Sequence, residues 1–196
     1  MTIIPRVLAF AGSTRTGSLN KKLLRVAAAA ARDTGAEVTV VDLRDLALPL
    51  YDGDLEESNG LPEGAKKLKA LLKAHHGLLL ACPEYNSSIS GALKNAIDWA
   101  SRPMEGERPL EPFTGKVAAL TSASTGALGG LRGLVTVRSI LGNIGVLVLP
   151  EQVSVSKAHE AFAEDGSLTD AKRLASIKSL TAKLADTIRK LHSPGL

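Results

Sequence analysis

Ile3-Ile4-Pro5-Arg6-Val7-Leu8-Ala9-Phe10-Ala11 runs into Gly12-Ser13-Thr14-Arg15-Thr16-Gly17-Ser18, and that loop into Leu19-Asn20-Lys21-Lys22-Leu23-Leu24 and the alanine-rich stretch behind it. An apolar run, a loop of small hydrogen-bonding residues and a segment of helical period, in that order, open a βαβ unit. The apolar run lacks the period-two alternation of a half-exposed strand, so it reads as a strand covered on both faces, as in a parallel sheet with helices on either side. The helix expected over Leu19 to Thr34 ends at Gly35, where the chain needs a residue tolerant of the left-handed conformation.

The alternation continues to the end of the chain. Glu37 to Leu43, Gly77 to Cys82, Lys116 to Ser122 and Gly145 to Leu149 read as further buried strands, joining Ile3 to Ala11. Helices are predicted over Glu63 to His76, Ser88 to Ser101, about Gly130 to Leu141, and from Thr169 onward, where Leu174, Ile177, Leu180, Leu184, Ile188 and Leu191 form an amphipathic stripe. Strands alternating with helices in this way predict an α/β domain built on a five-stranded parallel sheet. Arg102 to Thr114 and Ser156 to Ser167 read as surface loops, so residues 1–196 are expected to form one domain.

The 44% apolar content supports one substantial core, while 3% aromatic content argues against a base-stacking surface for single-stranded nucleic acid. The formal charge of +4 is spread through helical segments without a basic block, which suits a phosphorylated cofactor or an oxyanion better than a nucleic acid. Cys82 is the only cysteine and cannot make an internal disulfide. The start of the chain lacks a signal-peptide pattern, and no apolar run reaches bilayer length. A cytoplasmic protein with no membrane partner is expected.

In open parallel sheets ligands bind outside the carboxyl ends of the strands. Three loops lie there: Gly12 to Asn20, Pro83 to Ser88, and Ser122 to Gly126 with Gly129 and Gly130. In the first, unpaired amides and the positive end of the following helix make an anion site, to which Ser13, Ser18 and Asn20 add hydrogen bonds and Arg15 a charged fork. The bland alternative is an ordinary Ser/Gly strand-to-helix turn. Gly12 and Gly17 have the spacing of a nucleoside-triphosphate loop, but Ser18 stands where its lysine belongs. Thr14 stands where a dinucleotide loop needs its second glycine, so a monophosphate fits better. Tyr85, on a loop at a strand's carboxyl end, suits contact with a flat ring or a plain place on the surface.

Elsewhere the residues suggest structural roles. Trp99 follows Leu93 and Ala96 at helical spacing and reads as core or interface, and Cys82 as a small buried apolar group. His75 and His76 end a helix, where imidazole meets free carbonyls; His159 and His192 are isolated. No metal-ligand spacing occurs, and no nucleophile, base or other catalytic side-chain set stands out. Lys66, Lys69 and Lys73 read as a solvated helical face opposite Leu68, Leu71 and Leu72, and Asp42 as a loop cap.

The loop with Ser13, Arg15, Ser18 and Asn20, followed by Pro83-Glu84-Tyr85-Asn86 and then Gly91-Ala92-Leu93-Lys94-Asn95-Ala96-Ile97-Asp98-Trp99, resembles the NADPH-dependent FMN reductase family, which includes quinone and chromate reductases. The resemblance follows element order along the whole chain. It implies a flavodoxin-like fold with strand order 2-1-3-4-5 and helices on both faces, bound FMN, and a homodimer or homotetramer. It further implies that Ser13, Arg15, Ser18, Leu19 and Asn20 hold the FMN phosphate, and that Pro83, Glu84, Tyr85, Asn86 and Ser87 line the flavin ring. Ser122, Ser124 and Gly126 would border the ring's other edge. Asn86 would meet the polar edge of the ring; Glu84, unwelcome beside a ring that gains negative charge, is expected to turn its carboxylate away toward a subunit contact. NADPH or NADH would reduce the flavin, and a quinone, chromate or an azo compound would reoxidise it in a ping-pong cycle. The alternatives are a non-enzymatic FMN electron carrier and a flavin reductase that feeds reduced FMN to a monooxygenase.

Overall fold

A computed structural model describes residues 3–193. Strands β1 (Arg6–Ala11), β2 (Glu37–Val41), β3 (Gly77–Ala81), β6 (Val117–Ala123) and β7 (Leu147–Val155) form one parallel sheet in the order β2-β1-β3-β6-β7. Counting only these strands, this is the flavodoxin-like order 2-1-3-4-5 that the sequence suggests. Two more strands, β4 (Glu84–Tyr85) and β5 (Ser88–Ile89), make a small antiparallel hairpin outside the sheet.

The helices are α1 (Leu19–Arg32), α2 (Gly53–Asn59), α3 (Glu63–Ala74), α4 (Gly91–Ser101), α5 (Leu131–Asn143) and α6 (Ala171–His192), with a 3₁₀ turn over Leu43–Leu46. The alternating side chains of the central strands divide the core in two. Val7, Ala9, Leu79 and Ala119 face α1 and α6, where Leu23, Ala27, Ile177 and Leu184 meet them. Leu8, Phe10, Leu78, Leu80 and Leu120 face α3, α4 and α5, against Leu68, Leu93, Ala96 and Leu134. Both sides of β1, β3 and β6 are thereby dry, which is why these strands carry continuous apolar runs. No helix among the described residues is long and apolar enough to cross a membrane.

Three expectations are corrected. Strand β7 does not stop at Leu149 but runs to Val155. It is an edge strand, half exposed and alternating, and Pro150 interrupts it. The register jumps from Ala118 opposite Val148 to Leu120 opposite Gln152, so the proline sits in an irregularity where its missing N–H costs no ladder bond. Arg138 of α5 donates to the carbonyl of Leu149 (2.7 Å) and to Gln152 Oε1 (3.0 Å) across that gap. The expected helix over Ser88 to Ser101 begins only at Gly91, capped by Ser90, because Ser88 and Ile89 belong to the hairpin. Lys69 is not solvated: it is 1% exposed and pairs with Glu107 at 2.7 Å, because the Arg102–Thr114 loop folds over α3. Lys73 reaches the same carboxylate from the rim, also at 2.7 Å.

Candidate functional site

β1, β3 and β6 end side by side, so the three loops that follow them meet. The ladder carries over into the loops: Gly12 N donates to the Ala81 carbonyl (2.9 Å) and Cys82 N to that of Thr121 (2.8 Å). The buried amide of Asn20 closes the arrangement. Its Nδ2 donates to the Ala123 carbonyl (2.8 Å) while its Oδ1 accepts from Ala123 N (2.9 Å), clamping the start of α1 to the end of β6. A methyl at Gly12 would lie 2.8 Å from Leu93 Cβ and 3.2 Å from Pro83 Cδ, so only glycine lets the first loop sit this close to α4 and the second loop. Ser90 adds a hydrogen bond to the Gly12 carbonyl.

The result is an open cavity of about 220 Å³ with three walls. Ser13, Arg15, Ser18, Leu19 and Asn20 form the first; Pro83, Glu84 and Tyr85 the second; Ala123, Ser124 and Thr125 the third. Ser18 is the N-cap of α1: its Oγ accepts from Lys21 N at 3.4 Å. Ser13 Oγ accepts from Arg15 N at 3.3 Å. Both hydroxyls, each buried at the base of the cavity, keep their protons to donate. The first-turn amides of α1 at Leu19 and Asn20 lack an acceptor within the helix. Arg15 is exposed and enters no side-chain hydrogen bond or ion pair among the described residues. Arg44 donates from Nε to the Thr14 carbonyl (2.7 Å), steadying the outside of the loop. Free donors, a helix N-terminus and an unpaired guanidinium converge here with no competing carboxylate from the first loop itself.

The second wall is the hairpin. Asn86 and Ser87 have φ of 50° and 65°, the two left-handed positions of a type I′ turn. The turn lifts Tyr85 to the rim, 59% exposed. Glu84 lies at the cavity's edge, but its carboxylate turns away as expected, and its partner lies within the chain. Oε2 accepts from the backbone amides of Arg132 (3.0 Å) and Gly133 (3.2 Å), and Oε1 from Arg132 Nε (2.9 Å). Burial would raise this carboxyl's pKa; the Arg132 side chain and the Gly133 amide outweigh it and hold it below the usual carboxylate range. Gly130, the N-cap of α5, offers no side chain, so Glu84 supplies the cap from another element.

Not every expected residue faces the cavity. Asn86 and Ser87 form the exposed turn, and Gly126 lies beyond Ser124 on the third loop. Ser122 is fully buried, its hydroxyl donating to the Gly129 carbonyl at 2.7 Å; its role is to fold the loop. The sequence reading missed Ala123 and Thr125. Thr125 carried the signal of a hydroxyl in the right loop, whereas Ala123 takes part through its backbone, which no side chain announces.

The remaining candidates are structural. Trp99 is wholly buried, donates from Nε1 to the Pro49 carbonyl (2.8 Å) and meets Tyr51 edge-on at 5.0 Å. Trp99 and Glu84, for which the sequence suggests a core or subunit contact, find their partners within the chain. Burial pushes the Cys82 thiol up to about 12, far from a reactive thiolate. Asp42 caps the 3₁₀ turn, accepting from Arg44 N at 3.0 Å, and pairs with Lys21 at 2.6 Å. His75 Nδ1 meets the Leu71 carbonyl at 2.6 Å, as a helix-end histidine should. No group of three potential metal ligands occurs among the described residues.

Comparison with known proteins points to one family. The family model described as NADPH-dependent FMN reductase matches residues 5–160. An NAD(P)H-dependent FMN reductase of Pseudomonas aeruginosa is 36% identical over 188 residues, 95% of this chain and 97% of its own. A quinone reductase of Escherichia coli is 33% identical over 147 residues, covering 74% of this chain and 73% of its own. Among solved structures, the flavoenzyme NAD(P)H:(acceptor) oxidoreductase FerB of Paracoccus denitrificans superposes with a TM-score of 0.78 at 32% identity, over 95% of this chain and 98% of its own.

Proposed function

The chain belongs to the NADPH-dependent FMN reductase family, and from that membership we propose that it is a cytoplasmic NAD(P)H-dependent reductase that holds FMN in the three-loop cavity and reduces quinones, with chromate and azo compounds as further acceptors. The observation that carries the reading is the convergence of the α1 N-terminus, Ser13, Ser18 and unpaired Arg15 on one side of a cavity whose other side is Pro83 and Tyr85. These residues fit FMN: the first wall offers hydroxyl and backbone donors and a positive charge, as a dianionic monophosphate requires, and the second offers an apolar ring and an aromatic one for a planar cofactor. FMN held there would supply the redox chemistry, linking oxidation of NAD(P)H to reduction of the acceptor.

What the chain contributes is placement. Ser13, Ser18, Arg15 and the Leu19 and Asn20 amides anchor the phosphate, and the Asn20–Ala123 clamp fixes how far the third wall stands from that anchor. Pro83 and Tyr85 would lie against the ring. With the Glu84 carboxylate turned onto α5, no unpaired negative charge from the hairpin opposes electron density arriving in the cavity. The cavity stays open on one side, which suits two substrates that enter in turn. We assign a homodimer or homotetramer on the strength of the family resemblance, which light scattering checks directly.

An absorbance spectrum of the purified protein tests the core of the reading. A flavin spectrum is expected, bleached by NADPH or NADH without oxygen and restored by a quinone. A protein that takes up no FMN overturns the proposal. Flavin lost on desalting instead identifies a reductase that releases its product, and flavin that NAD(P)H does not reduce identifies an electron carrier.

A further inference from the structure

The opposite end of the sheet holds a concentration of basic side chains. Arg6 opens β1, His75 and His76 precede β3, Lys116 precedes β6, and His192 ends α6. The imidazoles of His76 and His192 lie 4.9 Å apart. None of these five side chains pairs with a carboxylate among the described residues. Two of them are compensated in the ordinary way, His75 by the Leu71 carbonyl and the buried Lys116 amine by the His75 carbonyl at 2.6 Å. Arg6 and His76 are not.

The reason lies in donor and acceptor arithmetic. His76 is clipped to the start of β1 by two bonds: its backbone N donates to the Arg6 carbonyl (2.8 Å), and its Nδ1 accepts from Arg6 N (3.1 Å). An accepting Nδ1 puts the proton of the neutral ring on Nε2. Nε2 lies 3.2 Å from Arg6 Nη2, which also carries only donors. The other tautomer moves the conflict to Nδ1, where the Arg6 amide cannot rotate away, and the imidazolium makes both nitrogens donors. Every protonation state of the ring leaves two donors face to face. Burial, together with the charges of Arg6, His192, Lys116 and His75, pushes His76 down to about 4, so the ring is neutral at pH 7. An anionic acceptor reverses that balance, because it takes a bond from each facing donor and offsets the surrounding charge.

We propose that Arg6, His76 and His192, with Lys116 adding to the local field, form a binding site for a small oxyanion of the phosphate or sulfate class at the amino end of the sheet. Arg6 Nη2 and His76 Nε2–H are its principal donors. It lies at the opposite end of β1 and β3 from the FMN cavity and is independent of that reading.

The test uses the purified protein as isolated, and the signals are read at rings on the opposite end of the sheet from the α1 anion site. Sodium phosphate, then sodium sulfate, is titrated at pH 7 while the imidazole carbon–proton signals of His76 and His192 are followed by NMR, with sodium chloride at matched ionic strength as the reference. Both oxyanions are expected to give saturable shifts at these two rings that chloride does not produce. Arg6→Gln removes the guanidinium and leaves the backbone clip intact; it should weaken both oxyanions by about tenfold or more, the loss of one charge-assisted bond. Shifts that track ionic strength alike for all three salts overturn the proposal, as do shifts that Arg6→Gln leaves unchanged. An unchanged far-ultraviolet circular dichroism spectrum in the variant confirms that the fold is intact.

Discussion

Helices α1 and α5 both begin at the carboxyl edge of the sheet beside the same cavity, yet their N-termini are treated in opposite ways. At α1 the cap is Ser18, the flanking loop brings Arg15, and no carboxylate accepts from the first-turn amides. At α5 the cap is Gly130, and Glu84 reaches across from the hairpin to take the Arg132 and Gly133 amides. One helix start is left open for an anion from outside; the other is closed by an anion the chain carries. The difference teaches that a helix N-terminus becomes a ligand site only where the fold withholds its own carboxylate.

The strongest way to break this contrast is to close α1 as α5 is closed. Ser13→Asp puts a carboxylate at the base of the cavity, and FMN retention should be lost at micromolar protein while the far-ultraviolet circular dichroism is unchanged. Arg15→Ala is the milder version: FMN affinity should fall roughly ten- to hundredfold, the loss of a charge-assisted hydrogen bond worth about 1.5 to 3 kcal/mol. Riboflavin, lacking the phosphate, should hardly respond. Titration of both ligands into apo protein decides the matter, and equal weakening of the two would remove Arg15 from the phosphate anchor.

The reciprocal change opens α5. Glu84→Gln keeps the shape but loses the charge, so the hairpin and α5 should loosen and the melting temperature fall. Because the Glu84 carboxyl is held below its ordinary value, its contribution is complete above the unfolded carboxylate range near pH 4.3 and fades as the pH drops through the lower folded value. The gap in melting temperature between wild type and Glu84→Gln should therefore be widest at neutral pH and shrink in acid. A gap independent of pH would mean that the carboxylate's charge is not what closes this helix.

Why Glu84 could be placed only halfway from sequence follows from the same contrast. The open start is local: strand, small-residue loop, serine cap and helix are contiguous, so Ser13, Arg15 and Ser18 were legible. The closed start is not, since Glu84 and Arg132 are distant in the chain and their meeting depends on Gly133, where a methyl would stand 3.0 Å from the Ser88 carbonyl. Asn20 illustrates the same limit within one loop. Its residue type and position suggested a phosphate donor, but both ends of its amide are taken by the Ala123 backbone, a contact that exists only once β1 and β6 lie in one sheet. The buried central strands were read correctly because two dry faces impose one pattern. The edge strand β7 and buried Lys69 were misread because each depends on a distant partner, Arg138 for the one and Glu107 for the other.

The smallest expected effect sharpens the role of the hairpin. Ser87 holds a left-handed conformation that costs a side-chain-bearing residue about 1 kcal/mol, so Ser87→Gly should stabilise the protein by up to that amount. Chemical denaturation measures it. Because Ser87 lies outside the cavity, FMN affinity should stay unchanged, whereas a matching change in affinity would place the turn in contact with the cofactor.

The interruption at Pro150 also bears on how the folded protein behaves in a crowded solution. A sheet that ends in an unbroken row of amides and carbonyls invites a stranger's strand to extend it. At β7 such a strand would find no N–H on Pro150, and Arg138 already bonded to the carbonyls of Leu149 and Val148. Glu151 and Lys183, paired with each other, set charge on the same rim. The feature that made this strand hard to recognise is thus a safeguard against aggregation, built from a residue that cannot pair and a guanidinium that occupies what an intruder would need.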